Sequence, residues 1–144
     1  APDGAWQDGS RAWILWEAKT EEEPKGKISA DETRQANSHV DWVRHNYSWT
    51  EPESAITVMV TPKEALHGSV CGVAASHLHV VPQTTVTEIS RATVEIHRQL
   101  GGQIIGIQDA EAADLMAAAL KAKKLDTSSL ISRLSTTPLR GQDS

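Results

Sequence analysis

Apolar residues in this chain come first in short unbroken runs and later at helical spacing. Residues 3–7 and 11–19 flank Asp8-Gly9-Ser10, a turn signal between two apolar stretches, and predict a β-hairpin. A turn centred near residue 10 pairs positions whose numbers sum to about 20, which sets Asp3 opposite Glu17 at the hairpin's open end. The polar stretch 20–28, with Pro24 and Gly26, predicts a loop. Ser29 and Glu32 then form a capping-box signature, predicting a helix over residues 30–46. Ala36, Val40 and Val43 are its buried stripe, and Gln35, His39 and Trp42 form an adjacent face.

Residues 54–60 are β-branched and predict a strand stopped at Thr61-Pro62. A loop or short helix is expected around Glu64–His67, then a strand over 78–81 ended by Pro82. Residues 87–100 have helical spacing, closed by Gly101-Gly102. A short edge strand is expected over 104–107, followed by an Ala-rich helix capped by Asp109 and running to Lys124. Lys121, Lys123 and Lys124 suit the negative end of that helix's dipole. Asp126 to Ser129 open a last short helix, and residues 136–144 read as frayed. A helix between strands 11–19 and 54–60 is long enough for a crossover that leaves them neighbours. The order therefore predicts an α/β fold with a central mixed β-sheet flanked by helices. No glycine-rich turn follows a strand, which argues against a doubly wound nucleotide binder.

Composition narrows the picture. The length, 144 residues, suits a single domain, with a core over 2–100 and C-terminal helices over 109–135. At 39% hydrophobic and 23% charged it is globular material, and no apolar run approaches the ~20 residues of a membrane span. Cys71 is the only cysteine, so neither an internal disulfide nor a cysteine-based zinc site is available. No signal peptide is expected, since residue 1 already lies in a motif-bearing segment with no basic-then-apolar leader before it. A cytoplasmic setting is expected, and the missing initiator Met predicts a domain cut from a longer protein. The net charge of −5 argues against a cation-coated nucleic-acid binder but allows a local basic rim. Lys19, Lys25, Lys27, Arg34 and Arg44 supply one; read plainly, they are a solvated surface.

The chemistry gathers at the hairpin's open end. Two carboxylates held close together repel, and a hard divalent cation relieves them. Asp3, Glu17 and the backbone carbonyl of Ala18 offer three oxygens suited to Mg²⁺, with Mn²⁺ a substitute. A cation there lowers the pKa of a bound water and stabilises charge on a phosphate in transition. Lys19, two residues past Glu17 on an extended strand, emerges on the same face, where it can orient or deprotonate the attacking water or neutralise phosphate. Gln35, early in the following helix, is placed to hold a water or the scissile phosphate.

Pro2-Asp3, thirteen residues, then Glu17-Ala18-Lys19 closing a hydrophobic strand resembles the signature of the PD-(D/E)XK phosphodiesterase superfamily. Gln35-Ala36-Asn37-Ser38-His39 is similar to the glutamine-bearing helix motif of its exonuclease-like branches, with His39 where those branches carry an aromatic. The resemblance covers residues 2–82. It implies a restriction endonuclease-like three-layer sandwich. It further implies a Mg²⁺-dependent nuclease acting on DNA, or on RNA or branched nucleic acid, as a module of a restriction, repair or defence system. Asp3, Glu17, Lys19 and Gln35 would be its site residues, Lys25, Lys27 and Arg34 its nucleic-acid contacts, and a homodimer or the rest of a longer chain its partners.

Plainer readings stand beside this one. Glu17 and Lys19 can be a strand-end ion pair with Asp3 a turn residue, or the domain can bind nucleic acid or assemble with a protein without cutting. Asp8 is better explained by the turn than as a ligand. His77 and His79 would share one strand face, but with no third ligand evident a hydrogen-bonded or exposed pair is expected. With no Phe and one Tyr, tryptophan must furnish the aromatic core; Trp13 is assigned there, and Trp16 and Trp42 fit either core or base stacking. Cys71 reads as a small buried residue, and no G-x-S-x-G elbow is present.

Overall fold

A computed structural model describes residues 1–7, 11–19, 27–47, 54–61, 65–66 and 75–135. Its elements in chain order are β1 (Gly4–Trp6), β2 (Ala12–Ala18), β3 (Lys27–Ile28), α1 (Ala30–Asn46), β4 (Ser54–Val60), β5 (Ala65–Leu66), β6 (Leu78–Val81), α2 (Gln83–Ile104), α3 (Asp109–Ala122) and α4 (Thr127–Leu134). The main sheet has the order β1-β2-β4-β6. Strand β1 pairs antiparallel with β2, in the register Gly4↔Trp16 and Ala5↔Leu15 expected from the turn. Strands β2, β4 and β6 are mutually parallel, which makes the sheet mixed. The β2–α1–β4 passage is the anticipated crossover between neighbouring strands.

The run Ile14-Leu15-Trp16 shows why β2 lacks polar alternation: both faces of the sheet are covered. Ile14 and Trp16, with Ile56 and Val58 of β4, pack on Ile89 and Ile96 of α2 and on Leu130 and Leu134 of α4. Leu15 turns the other way, onto Val40 and Val43 of α1. Met59 and Leu78 on that same side meet Ala36 and Ile28. Burying a Leu or Ile side chain contributes roughly 1.5–3 kcal/mol, so these two apolar layers fix where α1 lies and hence which strand ends it faces.

Helix α1 begins as its sequence dictates. Ser29 Oγ accepts from the Glu32 amide at 3.2 Å, and the Ser29 amide donates to the Glu32 carboxylate at 2.7 Å. Its buried residues are Thr33, Ala36, His39, Val40 and Val43, the anticipated stripe with two polar members added. At the far end of the chain, Asp126 caps α4 by accepting from the Ser129 amide.

Several expectations need correction. Helix α2 is longer than 87–100: it starts just after Pro82 and runs through Gly101 and Gly102. Neither glycine has a neighbour within 4 Å of a would-be Cβ nor a positive φ, so they sit in the helix as ordinary residues. The stop comes at Gly106, whose φ of +83° is the left-handed turn that ends the helix. Consequently 104–107 form no edge strand, and Ile105 is left exposed. Asp109 is the first helical residue of α3, after Gln108, and makes no capping bond. The segment around 64–67 contains strand β5, which pairs in parallel with β3 at the end of the supposed 20–28 loop. This short ladder joins segments far apart in sequence, which a local pattern cannot reveal.

The turn expected at Asp8–Ser10, most of the loop expected over 20–28 (residues 20–26), Trp49, Cys71 and residues 136–144 lie outside the described residues. Among the described residues no helix is long and apolar enough to cross a membrane.

Candidate active site

Strand β2 delivers Glu17 to the face of the sheet covered by α1, because Leu15 two residues earlier points there. Glu17 is 3% exposed, a carboxylate inside the fold. Such a charge is costly unless partnered, and both its oxygens are. Oε1 lies 2.7 Å from Lys19 Nζ. Oε2 lies 2.6 Å from Nε2 of His39, itself only 1% exposed. Lys19 reaches back on the same side, as an i, i+2 residue of an extended chain should.

Lys19 in turn donates to Gln35 Oε1 at 3.2 Å. Gln35 and His39 are four residues apart on α1, so one helical face supplies both contacts to the strand end. The Lys19 amide donates to the Val60 carbonyl at 2.9 Å, fixing the chain where β2 finishes beside β4.

Asp3 arrives from the other strand of the hairpin. Its amide donates to the Trp16 carbonyl at 2.9 Å, and its Oδ2 accepts from the Ala18 amide at 2.8 Å. The Asp3 carboxylate therefore occupies the place where a ladder carbonyl would have met β2, directly after Glu17. The four side chains singled out in the sequence, Asp3, Glu17, Lys19 and Gln35, thus gather at one end of the sheet. His39 was marked only by its i+4 spacing from Gln35; its bond to Glu17, across 22 residues, had no signal in local sequence.

The donor set suits a hard cation. Asp3 and Glu17 are oxygen donors, and each ionised carboxylate carries about four lone-pair sites, so an oxygen already accepting one hydrogen bond retains capacity. Among the described residues no three His, Cys, Asp or Glu side chains converge. A cation here would rest on the two carboxylates and the Ala18 carbonyl, the magnesium pattern in which water and phosphate complete the shell.

The expected basic rim is only partly visible. Arg34 is exposed on α1, next to Gln35, and bonds Asp31 at 2.7 Å. Arg44 is also exposed and lies 3.6 Å from Asp41. Lys25 and the side chain of Lys27 lie outside the described residues.

The histidines near β6 differ from expectation. His77 precedes the strand in a turn rather than sharing its face, and His79 is buried within it. Nε2 of His77 and Nδ1 of His79 are buried without a hydrogen-bond partner. Burial lowers the pKa of His77; Asp41 opposes that shift and Arg44 adds to it. Burial also lowers that of His79, with His77 contributing. Trp16 belongs to the core, Trp13 packs partly buried beside Leu15, and Trp42 is 36% exposed near Tyr47.

No protein-family model, curated protein or solved structure matches this chain.

Proposed function

We propose that this domain is a Mg²⁺-dependent nuclease of the PD-(D/E)XK type, hydrolysing DNA phosphodiester bonds as a module of a restriction, repair or defence protein. One observation carries the reading: a nearly fully buried glutamate at the end of a hydrophobic strand meets Lys19, which meets Gln35, while Asp3 closes onto the next amide. A strand-end ion pair needs only the first of these contacts. The mixed sheet with helices on both faces agrees with the restriction endonuclease-like sandwich that the motif implies.

In this reading Asp3, Glu17 and the Ala18 carbonyl would hold the cation, which would supply an acidified water and charge stabilisation at phosphorus. Lys19 lies at the junction of the carboxylate and Gln35. It serves there as a mobile cation that leaves Glu17 for the attacking water or a phosphate oxygen. Gln35 orients Lys19 in the resting state and offers its amide to water or phosphate when substrate is present. Arg34, one residue away on an exposed turn of α1, meets the nucleic-acid backbone.

A second reading has its own support: both Glu17 oxygens are already satisfied by protein groups, as in a nuclease fold retained for binding or assembly alone. Incubation with plasmid under Mg²⁺, Mn²⁺ or EDTA separates the two. Metal-dependent nicking that vanishes in a parallel Asp3→Ala preparation supports the enzyme. Folded protein that binds DNA yet never nicks it supports the rival.

A further inference from the structure

Glu17 and His39 are both buried polar residues, and they face each other. His39 Nε2 lies 2.6 Å from Glu17 Oε2, while its other ring nitrogen, Nδ1, is buried and has no partner. A proton on Nδ1 would be a buried N–H with nothing to accept it, at a cost of about 1–3 kcal/mol. The contact therefore favours a proton on Nε2, where it is donated to the carboxylate. That bond ties one oxygen of Glu17 to α1 and leaves Oε1 as the oxygen beside Lys19.

We infer that His39 is a positioning residue: its Nε2–H clamps the Glu17 carboxylate so that Oε1 is presented to a divalent cation. The inference rests on the metal-dependent reading above and adds to it a residue outside the Asp3, Glu17, Lys19 and Gln35 set. The clamp is preorganised by packing. Val40 and Val43 bury α1 against Leu15 two residues before Glu17, which holds the two elements together beside the pair. Groups that hydrogen-bond a metal ligand from behind typically change metal affinity or activity about 10- to 100-fold when removed.

The test compares His39→Gln, whose side-chain amide nitrogen can take the place of Nε2, with His39→Leu, which fills the space without a donor, and His39→Asn, whose amide is too short to reach. Mn²⁺ affinity is measured on folded protein by titration calorimetry, beside Mn²⁺-dependent plasmid nicking. Expected is a loss of about 10- to 100-fold in Mn²⁺ affinity for His39→Leu and His39→Asn, with His39→Gln close to the parent protein. Equal affinity across folded variants overturns the clamp, as does His39→Gln falling as far as His39→Asn. Should His39→Leu fail to fold, the Gln and Asn pair decides. Long-range ¹H–¹⁵N spectra of the His39 ring give a readout that needs no metal: a ring carrying its proton on Nδ1 and none on Nε2 overturns the inference outright. A parent protein that neither binds Mn²⁺ nor nicks DNA overturns the nuclease reading and the metal role of His39 with it. Normal nicking with unaltered variants overturns the clamp alone.

Discussion

Lys19 Nζ stands between two acceptors, 2.7 Å from the Glu17 carboxylate and 3.2 Å from the Gln35 amide oxygen. The lysine bridges the end of β2 to the first turns of α1, and at 19% side-chain exposure it remains in reach of solvent. A lysine kept only to neutralise Glu17 has no need of Gln35. Replacing it with methionine keeps the aliphatic stem and removes the charge. In the nuclease reading, Lys19→Met lowers the nicking rate about 10²- to 10³-fold, the usual loss for one group that stabilises developing charge. It also leaves Glu17 Oε1 without its partner, which costs about 1–3 kcal/mol. Gel-based nicking rates and urea melts measure the two effects separately. An undiminished rate in a destabilised protein makes the pair structural.

Asp3 offers a cleaner separation of charge from architecture. Its Oδ2 accepts from the Ala18 amide, a bond that an asparagine oxygen can also take. Asp3→Asn should therefore preserve the hairpin's open end and leave the thermal midpoint close to that of the parent, while removing one of two carboxylates from the proposed cation site. Asp3→Ala loses the bond as well and should cost a further 0.5–1.5 kcal/mol or so. Metal-dependent nicking should disappear in both. Residual Mg²⁺-dependent cleavage by Asp3→Asn at the parent rate would remove Asp3 from the site.

The sheet and the site differ in how far the sequence discloses them. Asp8-Gly9-Ser10, read from the sequence as a turn signal, places Asp3 against Glu17 by counting, and the register Gly4↔Trp16 agrees with it. The capping box at Ser29 and Glu32 placed α1, and α1 in turn placed Gln35. These are local rules with local consequences. The β3–β5 ladder and the His39–Glu17 bond join distant segments, and only tertiary packing brings their partners together. The Gly101-Gly102 pair misled for a related reason. Glycine in a helix costs about 1 kcal/mol relative to alanine, less than one buried aliphatic side chain contributes, so packing of Ile96 and Leu100 against the core carries the helix past it.

His77 and His79 predict an acid sensitivity separate from the Asp3 and Glu17 carboxylates. Burial lowers the pKa of both in the folded protein, whereas the unfolded chain keeps histidine near its ordinary value of about 6.5. Below that pH the unfolded state binds protons that the folded state resists, so stability falls as pH drops. The contribution is complete above about pH 6.5 and is lost as pH falls through the lowered folded values. Urea melts of the parent and of His79→Gln at pH near 7.5 and near 5.5 should differ in slope, with the variant losing less stability on acidification. Parallel losses would assign the acid sensitivity to other groups.

Three glycines at the end of α2 allow the helix boundary itself to be tested by stability. Gly101 and Gly102 lie inside the helix, with nothing within 4 Å of a would-be Cβ. Alanine at either position fits the space and the backbone, and it narrows the unfolded chain's freedom. Each substitution should therefore stabilise by about 0.4–1 kcal/mol. Gly106 also has open space around it, but its φ of +83° is one that an alanine adopts only with strain. Gly106→Ala should destabilise by about 1 kcal/mol or more. The opposite signs are the point of the comparison, since steric room is the same at all three sites and only backbone conformation differs. A helix that ended at Gly101, as the sequence pattern alone implied, would put a left-handed residue there and reverse the order. Thermal melts of the three single variants decide between these boundaries: a lowered midpoint for Gly101→Ala together with an unchanged one for Gly106→Ala would move the end of α2 back by a full turn.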